Sequence, residues 1–377
     1  MKELLIKNGC LISVVDAYDK KKCDIHVVNG KIQKIGENLS CDCEILDVEG
    51  KFISAGLIDS HVHCFAEEGS SGVAPDELGI ARGATTIIDA GSSGPENYAI
   101  FREKFIEPAK TKVFTLLNVS KKGLQEKREL DSLDKIDGDF VSEVVKKYPE
   151  NIVGLKARAS ATVVGEMGIT PIEMAKDISR ETGLPLMVHV GNMPPRLEEV
   201  LDLLEKGDIV THPFHGKKGG IVKEDNSDMI PEARKAKERG VLFDIGHGEA
   251  SFAYKTFEKV SKLGFGYDSI STDLHRRNYK GPVYTMALTM SKLLNLGCSL
   301  EEVVDKSTYQ PAKIFGLKDL GRLQEGYIAD FFVFELVDTK RVALDADGDE
   351  LVLEQEIKPV YTIFSRGEET DIHENRI

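Results

Sequence analysis

Several things are scarce or missing in these 377 residues. No apolar stretch approaches the roughly 18 residues that a membrane-spanning helix needs. The opening MKELLIKNGCLISVV breaks its apolar runs with Lys7, Asn8 and Gly9, unlike a secretory leader. Six cysteines are too sparse for a disulfide scaffold and fit free thiols in a reducing cytoplasm. Positive charge is also short. Lys+Arg number 49 against 63 Asp+Glu, a net charge of −14, and no basic run stands out. Such a surface repels phosphate backbones, so nucleic acid is a poor partner. Low-complexity linkers, internal repeats and a glycine-rich phosphate loop are absent too.

What remains is 41% hydrophobic and 30% charged, enough for a large folded core. The length suits a catalytic domain of about 250 residues plus an accessory domain. Residues 1–55 read as short strands. Ile25–Val28 and Lys31–Ile35 flank Asn29-Gly30, a pair favoured in two-residue hairpins because both positions take positive φ. Asn8-Gly9 predicts a second tight turn, between Leu4–Ile6 and Cys10–Ile12.

From Gly56 to Gly316, short β-branched runs alternate with amphipathic segments, the texture of βα units and a parallel sheet. The candidate strands are Leu57–Val62, Thr85–Ala90, Val113–Asn118, Ile152–Ala157, Leu184–Val190, Ile209–Thr211, Val241–Ile245 and Ser269–Thr272. One helix starts at Thr170, read as its N-cap, with Pro171 in the first turn and Glu173 three residues after the cap. Others run from Arg196 to Glu205 and from Pro231 to Arg239, the last ending at Gly240. The expected fold is therefore an α/β (β/α)₈ TIM barrel over residues 56–316. Residues 317–377 return to strands, with a turn at Asp345–Gly348. Together with residues 1–55 they are expected to build one small β-sandwich domain from both chain termini.

The histidines carry the chemical signal. His61, His63, His189, His212, His247 and His275 all fall at or just past a predicted strand's C-terminal end, with His215 close behind His212. That face holds the active site of such barrels. His61 and His63 point to one side of a strand and can reach one metal. His189 and His212, on successive strands, extend this to a shared site, for which neutral imidazole is a standard zinc ligand. Asp273 ends the eighth strand and reads as a metal-bound carboxylate that also moves a proton, or as a partner for Arg276 or Arg277. Lys156 lies in an otherwise apolar strand, where burial is costly unless the group is paired or neutral. A neutral amine there can add CO₂ and become a carbamate able to bridge two metals; a salt bridge is the plainer reading.

In order, Gly56-Leu57-Ile58-Asp59-Ser60-His61-Val62-His63, Lys156, His189, His212 and Asp273 resemble the amidohydrolase superfamily of binuclear metal hydrolases. The segment Gly321–Phe331 is similar to the stretch with which many such chains re-enter their β domain. Val62–Phe65, Thr86–Gly91, Gly154–Arg158, Phe243–Gly248 and Ser271–Asp273 resemble its bacterial deacetylase-like branch, often labelled dihydroorotase or adenine deaminase. The resemblance implies two divalent ions, expected as zinc, and a carboxylated Lys156 bridging them. His61, His63 and Asp273 would hold one ion, and His189 and His212 the other. The implied activity is hydrolysis of acyl esters or amides, with Asp273 as proton shuttle. Deacetylation of small acylated hydroxy or amino acids fits best.

Dihydroorotases usually carry an arginine soon after the His-x-His pair, whereas here Cys64, Phe65, Ala66 and Glu67 follow. A cyclic amide hydrolase is therefore the second reading. A silent scaffold is the third, disfavoured because all six ligands are kept. The small-molecule substrate is expected to bear a carboxylate. Arg158 shares a strand face with Lys156 and is either its anchor or one half of an interior ion pair. Asn192, His247, His275 and Tyr284 are further candidate substrate contacts, and Gly246 and Gly248 suggest a specially bent loop. Cys64 is expected to pack. Cys41-Asp42-Cys43 lacks a second cysteine pair or a nearby histidine and reads as a plain loop. Gly216–Gly220 reads as a mobile loop after strand six that can serve as a lid. Related barrels often form oligomers, which leaves a homo-oligomer open.

Overall fold

A computed structural model of the chain describes residues 1–375 apart from 17, 19, 68 and 69, so positions 376 and 377 of the C-terminal segment lie outside the described residues. Seven parallel strands form one curled sheet in chain order: Leu57–Val62, Ala84–Ala90, Lys112–Asn118, Ile152–Ala159, Leu186–Val190, Ile209–Thr211 and Leu242–Asp244. Every residue of the first two is buried, as expected for strands covered on both faces. Helices such as Thr170–Thr182, Leu197–Leu203 and Pro231–Arg239 lie between them in sequence. The fold is a TIM-type barrel.

The eighth predicted strand, Ser269–Thr272, makes no continuous ladder. It closes the ring through two isolated parallel bridges, Asp244 to Ser269 on one side and Val62 to Leu274 on the other. Its sequence explains the difference. Ser269 and Ser271 donate side-chain hydrogen bonds to the buried Asp244 at 2.7 and 2.6 Å. Asp273 then takes a left-handed φ of 53°, which ends the extended run. These side-chain bonds add to backbone bonds on both flanks, such as Ile245 N–H to the Ser269 carbonyl at 3.1 Å and His63 N–H to the Leu274 carbonyl at 2.9 Å.

A second, eight-stranded sheet joins both ends of the chain. Glu3–Leu11, Lys21–Val28, Lys31–Gly36, Glu44–Asp47 and Phe52–Ala55 come from the start, and Phe331–Asp338, Gln355–Arg366 and Glu369–Glu374 from the end. Phe52–Ala55 pairs antiparallel with Phe331–Asp338, which joins the two groups. The sheet has its own apolar core, including Leu4, Ile25, Ile53, Phe331 and Ile363. The Asn29-Gly30 hairpin forms as expected, with φ of 49° and 72°.

Three local expectations are corrected. Asn8-Gly9 is a bulge inside the continuous strand Glu3–Leu11, where the register with Lys21–Val28 shifts between Ile6 and Gly9. The Asp24 carboxylate accepts from the Asn8 backbone N–H at 2.9 Å and stabilises the bulge, while Gly9 leaves room for the Ile53 side chain. Thr170 is already the first residue of its helix, and Ile169 occupies the cap position without a side-chain bond. Finally, Cys41 and Cys43 are joined, their Cα atoms 5.4 Å apart and so within disulfide reach, whereas Cys10, Cys23, Cys64 and Cys298 form no disulfide among the described residues. No helix among the described residues is long and apolar enough to cross a membrane.

Candidate active site

At the barrel mouth the predicted groups converge. Asp273 Oδ1 lies 3.0 Å from His63 Nε2 and 3.6 Å from His61 Nε2, and its other oxygen lies 3.9 Å from His212 Nε2. One ligand atom each from His61, His63 and Asp273 fits within a 4.8 Å span. The His189 ring sits edge-on to His212, with centroids 4.5 Å apart, and the His61 and His212 rings are 5.0 Å apart. The Asp273 backbone N–H donates to the His61 carbonyl at 2.7 Å, so strand one and the closing segment set this geometry together.

Neighbours on the strands fix the imidazoles. Thr211 Oγ1 donates to Asp244 at 2.7 Å and so is left to accept from His61 Nδ1 at 3.1 Å. His212 Nδ1 faces the Gly246 carbonyl at 2.5 Å, which can only accept. Both rings therefore carry their proton on Nδ1 and aim an Nε2 lone pair into the cluster. His212 Nε2 is buried and has no hydrogen-bond partner. Burial pushes the His212 imidazole down to about 3 and His61 well below its usual range. Neutral donors are what a metal requires. Burial alone would push the Asp273 carboxyl up; His61 and the hydrogen bond from His63 outweigh it and hold Asp273 well below the carboxylate range.

Lys156 is 1% exposed, and its amine meets His61 Nε2 at 3.2 Å and the Met187 sulfur at 3.4 Å. No carboxylate among the described residues makes an ion pair with it within 4.0 Å. Burial lowers its pKa to about 7, opposed by the more distant Asp273 and Asp244. The donor set fits a pair of cations: convergent neutral imidazoles, an orphaned Nε2, an ionised carboxylate and a buried amine able to carry a carbamate. Gly246 and Gly248, with φ of 50° and 60°, make the bent loop expected, and a Cβ on Gly248 would sit 2.8 Å from Asp273 Oδ2.

A cavity of about 260 Å³ opens over this cluster, lined in part by Arg158, Ser160, Asn192, Lys217, Glu249 and His275. Arg158 thus reaches the cavity and is also half of an interior ion pair, bonded to the fully buried Glu129 at 2.5 and 2.6 Å. Asn192 is exposed along the rim. His275 is held by the Asp273 carbonyl at 2.7 Å. Two predicted contacts lie elsewhere. His247 is wholly buried behind the loop, with Nε2 on Lys292 at 2.8 Å and Nδ1 on the Gly248 carbonyl at 3.0 Å. Tyr284 does not line the cavity; its backbone carbonyl accepts from Arg82 at 2.6 Å and its ring lies beneath the Arg341 guanidinium. Glu249, which the sequence gives no reason to single out, lines the cavity together with Lys217 of the expected lid loop and Arg277, the alternative partner expected for Asp273. Cys64 is buried and packed, as expected.

Residues 52–368 match the Amidohydrolase family. The chain is 40% identical to a deacetylase of Enterococcus faecalis, over 96% of this chain and 97% of that protein. A crystal structure of an adenine deaminase superposes with a TM-score of 0.92 at 40% identity, covering 99% of both chains. One of a dihydroorotase gives 0.91 at 36% identity, covering 100% of this chain and 99% of that one. The protein belongs to the amidohydrolase family. Within that family its deacetylase-named relatives make it a deacetylase-like hydrolase.

Proposed function

We propose that the protein is a binuclear, zinc-dependent hydrolase that removes acetyl groups from small acylated hydroxy or amino acids. The observation that carries the reading is Lys156: a buried amine facing the histidine cluster, with no carboxylate partner among the described residues. As a carbamate it would supply the missing anion between two cations. His61, His63 and Asp273 would hold one ion and His189 and His212 the other. When bound, the pair would polarise the acyl carbonyl and acidify a water. Asp273 takes that water's proton on a carboxylate oxygen and returns it to the departing oxygen or nitrogen. The low proton affinity of Asp273 keeps it ionised and free to accept, and favours handing the proton on to a more basic leaving atom.

The substrate carboxylate has a better anchor than Arg158. Glu129 neutralises Arg158, and Glu249 sits 3.0 Å from Arg277. Lys217 is exposed at the rim of the same cavity, and among the described residues no carboxylate pairs with it within 4.0 Å. We assign Lys217 to the substrate carboxylate, with Arg158 in support. No cation follows His63 to hold a cyclic ureide in the manner of dihydroorotases: Cys64 and Phe65 are buried and Ala66 and Glu67 carry no positive charge.

The test is a rate survey of zinc-loaded enzyme prepared with bicarbonate, across O-acetyl hydroxy acids, N-acetyl amino acids of both hands, dihydroorotate and hydantoins. Turnover of the acetylated acids is expected, and Lys217→Met should raise KM by roughly 10- to 100-fold, the worth of one charged hydrogen bond, with a smaller change in kcat. Turnover of the cyclic amides alone would overturn the substrate class.

A further inference from the structure

The terminal sheet gathers a second set of metal-type donors, on a different sheet from the barrel. One ligand atom each from Glu3, His26, Cys41 and Cys43 lies within 4.8 Å of every other. The sheet's register explains how. Glu3–Leu11 runs between Lys21–Val28 and Glu44–Asp47. Leu5 pairs with His26, so His26 shares a face with Leu5 and with Glu3, two residues earlier. Leu4 pairs with Glu44, which brings Cys43 level with Glu3 on the opposite flank, and the intervening Asp42 lets Cys41 reach the same point. His26 Nε2 and Glu3 Oε1 are 2.8 Å apart. The side chains are only partly covered, His26 at 21% and Glu3 at 45% exposed, so an ion can enter from solvent.

An ordinary surface ion pair beside a disulfide accounts for two contacts, but not for four donors meeting at one point. Two sulfurs, an imidazole and a carboxylate are a complete four-coordinate set of the kind zinc takes, and thiolates disfavour calcium or magnesium. We propose that, with its two thiols reduced, this cluster is a structural zinc site with Glu3, His26, Cys41 and Cys43 as ligands. The Cys41–Cys43 bond and the ion exclude one another, because disulfide sulfurs offer no thiolate. A phosphine with one water converts the disulfide to two thiols and becomes the phosphine oxide. Zinc then displaces both thiol protons to solvent. In that form the ion clamps the first strand, the second strand and the loop entering Glu44–Asp47.

The test uses the full chain, reduced with a phosphine and titrated with cobalt(II) as a spectroscopic stand-in. Thiolate ligands give an intense near-ultraviolet sulfur-to-cobalt band that the nitrogen and oxygen donors of the barrel mouth cannot produce. The band is expected in the parent and absent from Cys41→Ser/Cys43→Ser. That double variant should also bind one zinc fewer per chain while hydrolysing substrate at the parental rate. His26→Gln, which keeps both thiols, should weaken the cobalt affinity at least about tenfold, a loss typical of an incomplete ligand set. A reduced parent without the band, a pair that resists the phosphine, or equal zinc content in parent and double variant would each overturn the site. Unchanged cobalt binding by His26→Gln would reduce it to a bare dithiol chelate and overturn it as well.

Discussion

The lower and upper halves of the barrel interior are built from the same strands to opposite ends. Before the strands end, Ile58, Ile88, Leu116, Met187 and Ile209 meet Phe315, Leu317 and Leu320 in an apolar cluster. A few residues later the chain presents His61, Asn118, Lys156, His189 and His212. The lower half removes carbon from water and stabilises the fold. The upper half desolvates amines and imidazoles that make few bonds, which costs stability and leaves groups poised for a cation. Met187 marks the border: its side chain belongs to the apolar cluster, while its sulfur touches the Lys156 amine at 3.4 Å.

The contrast can be broken from either side. The largest effect is expected in the upper half, on turnover alone: Asp273→Asn should lower kcat by roughly 10²- to 10⁴-fold, the span of a general acid–base group. Its thermal midpoint should change little, and steady-state kinetics beside a melting curve would check both. A variant that keeps near-parental turnover would remove Asp273 from proton transfer. In the lower half the pattern should invert. Phe315→Ala should cost about 3–5 kcal/mol in urea unfolding, while the folded fraction keeps its kcat.

A smaller effect sharpens the comparison at its edge. Lys292, behind the His247 loop, donates to His247 and to the carbonyls of Pro282 and Leu344 at 2.8–2.9 Å. Burial lowers its pKa from 10.5 to about 7. Between those values the unfolded chain holds a proton that the folded chain lacks, so stability should rise as pH increases through that window. Lys292→Met, though weaker overall for its lost hydrogen bonds, should lack that component of the slope. Unfolding of both proteins at about pH 7 and about pH 10 would reveal the difference; parallel slopes would mean Lys292 is charged in the fold.

Much of this was legible in the sequence because barrel strands are regular. Leu57–Val62 and Ile209–Thr211 were read with their observed bounds, and a histidine at the end of such a strand has only the mouth to face. Loop residues obey no such rule. His247 was placed correctly at a strand's end, yet its orientation depends on Lys292, far along the chain. Asn8-Gly9 carries a turn signal, but Asp24 and Ile53 decide in favour of a bulge. Cys41 and Cys43 looked isolated because their neighbours Glu3 and His26 arrive only through sheet register. Lys217 was read as part of a mobile lid. Nothing in its local sequence says that it reaches the cavity.

The pairing of Phe52–Ala55 with Phe331–Asp338 bears on how the molecule is made. A ribosome delivers the five early strands long before the three late ones exist. During that interval Phe52–Ala55 presents an open row of backbone donors and acceptors, a template for the wrong partner. The barrel must be largely synthesised before its own C-terminal flank can close that edge. Contacts so distant along the chain are slow to form, so this edge stays open for longer than one closed by neighbours in sequence.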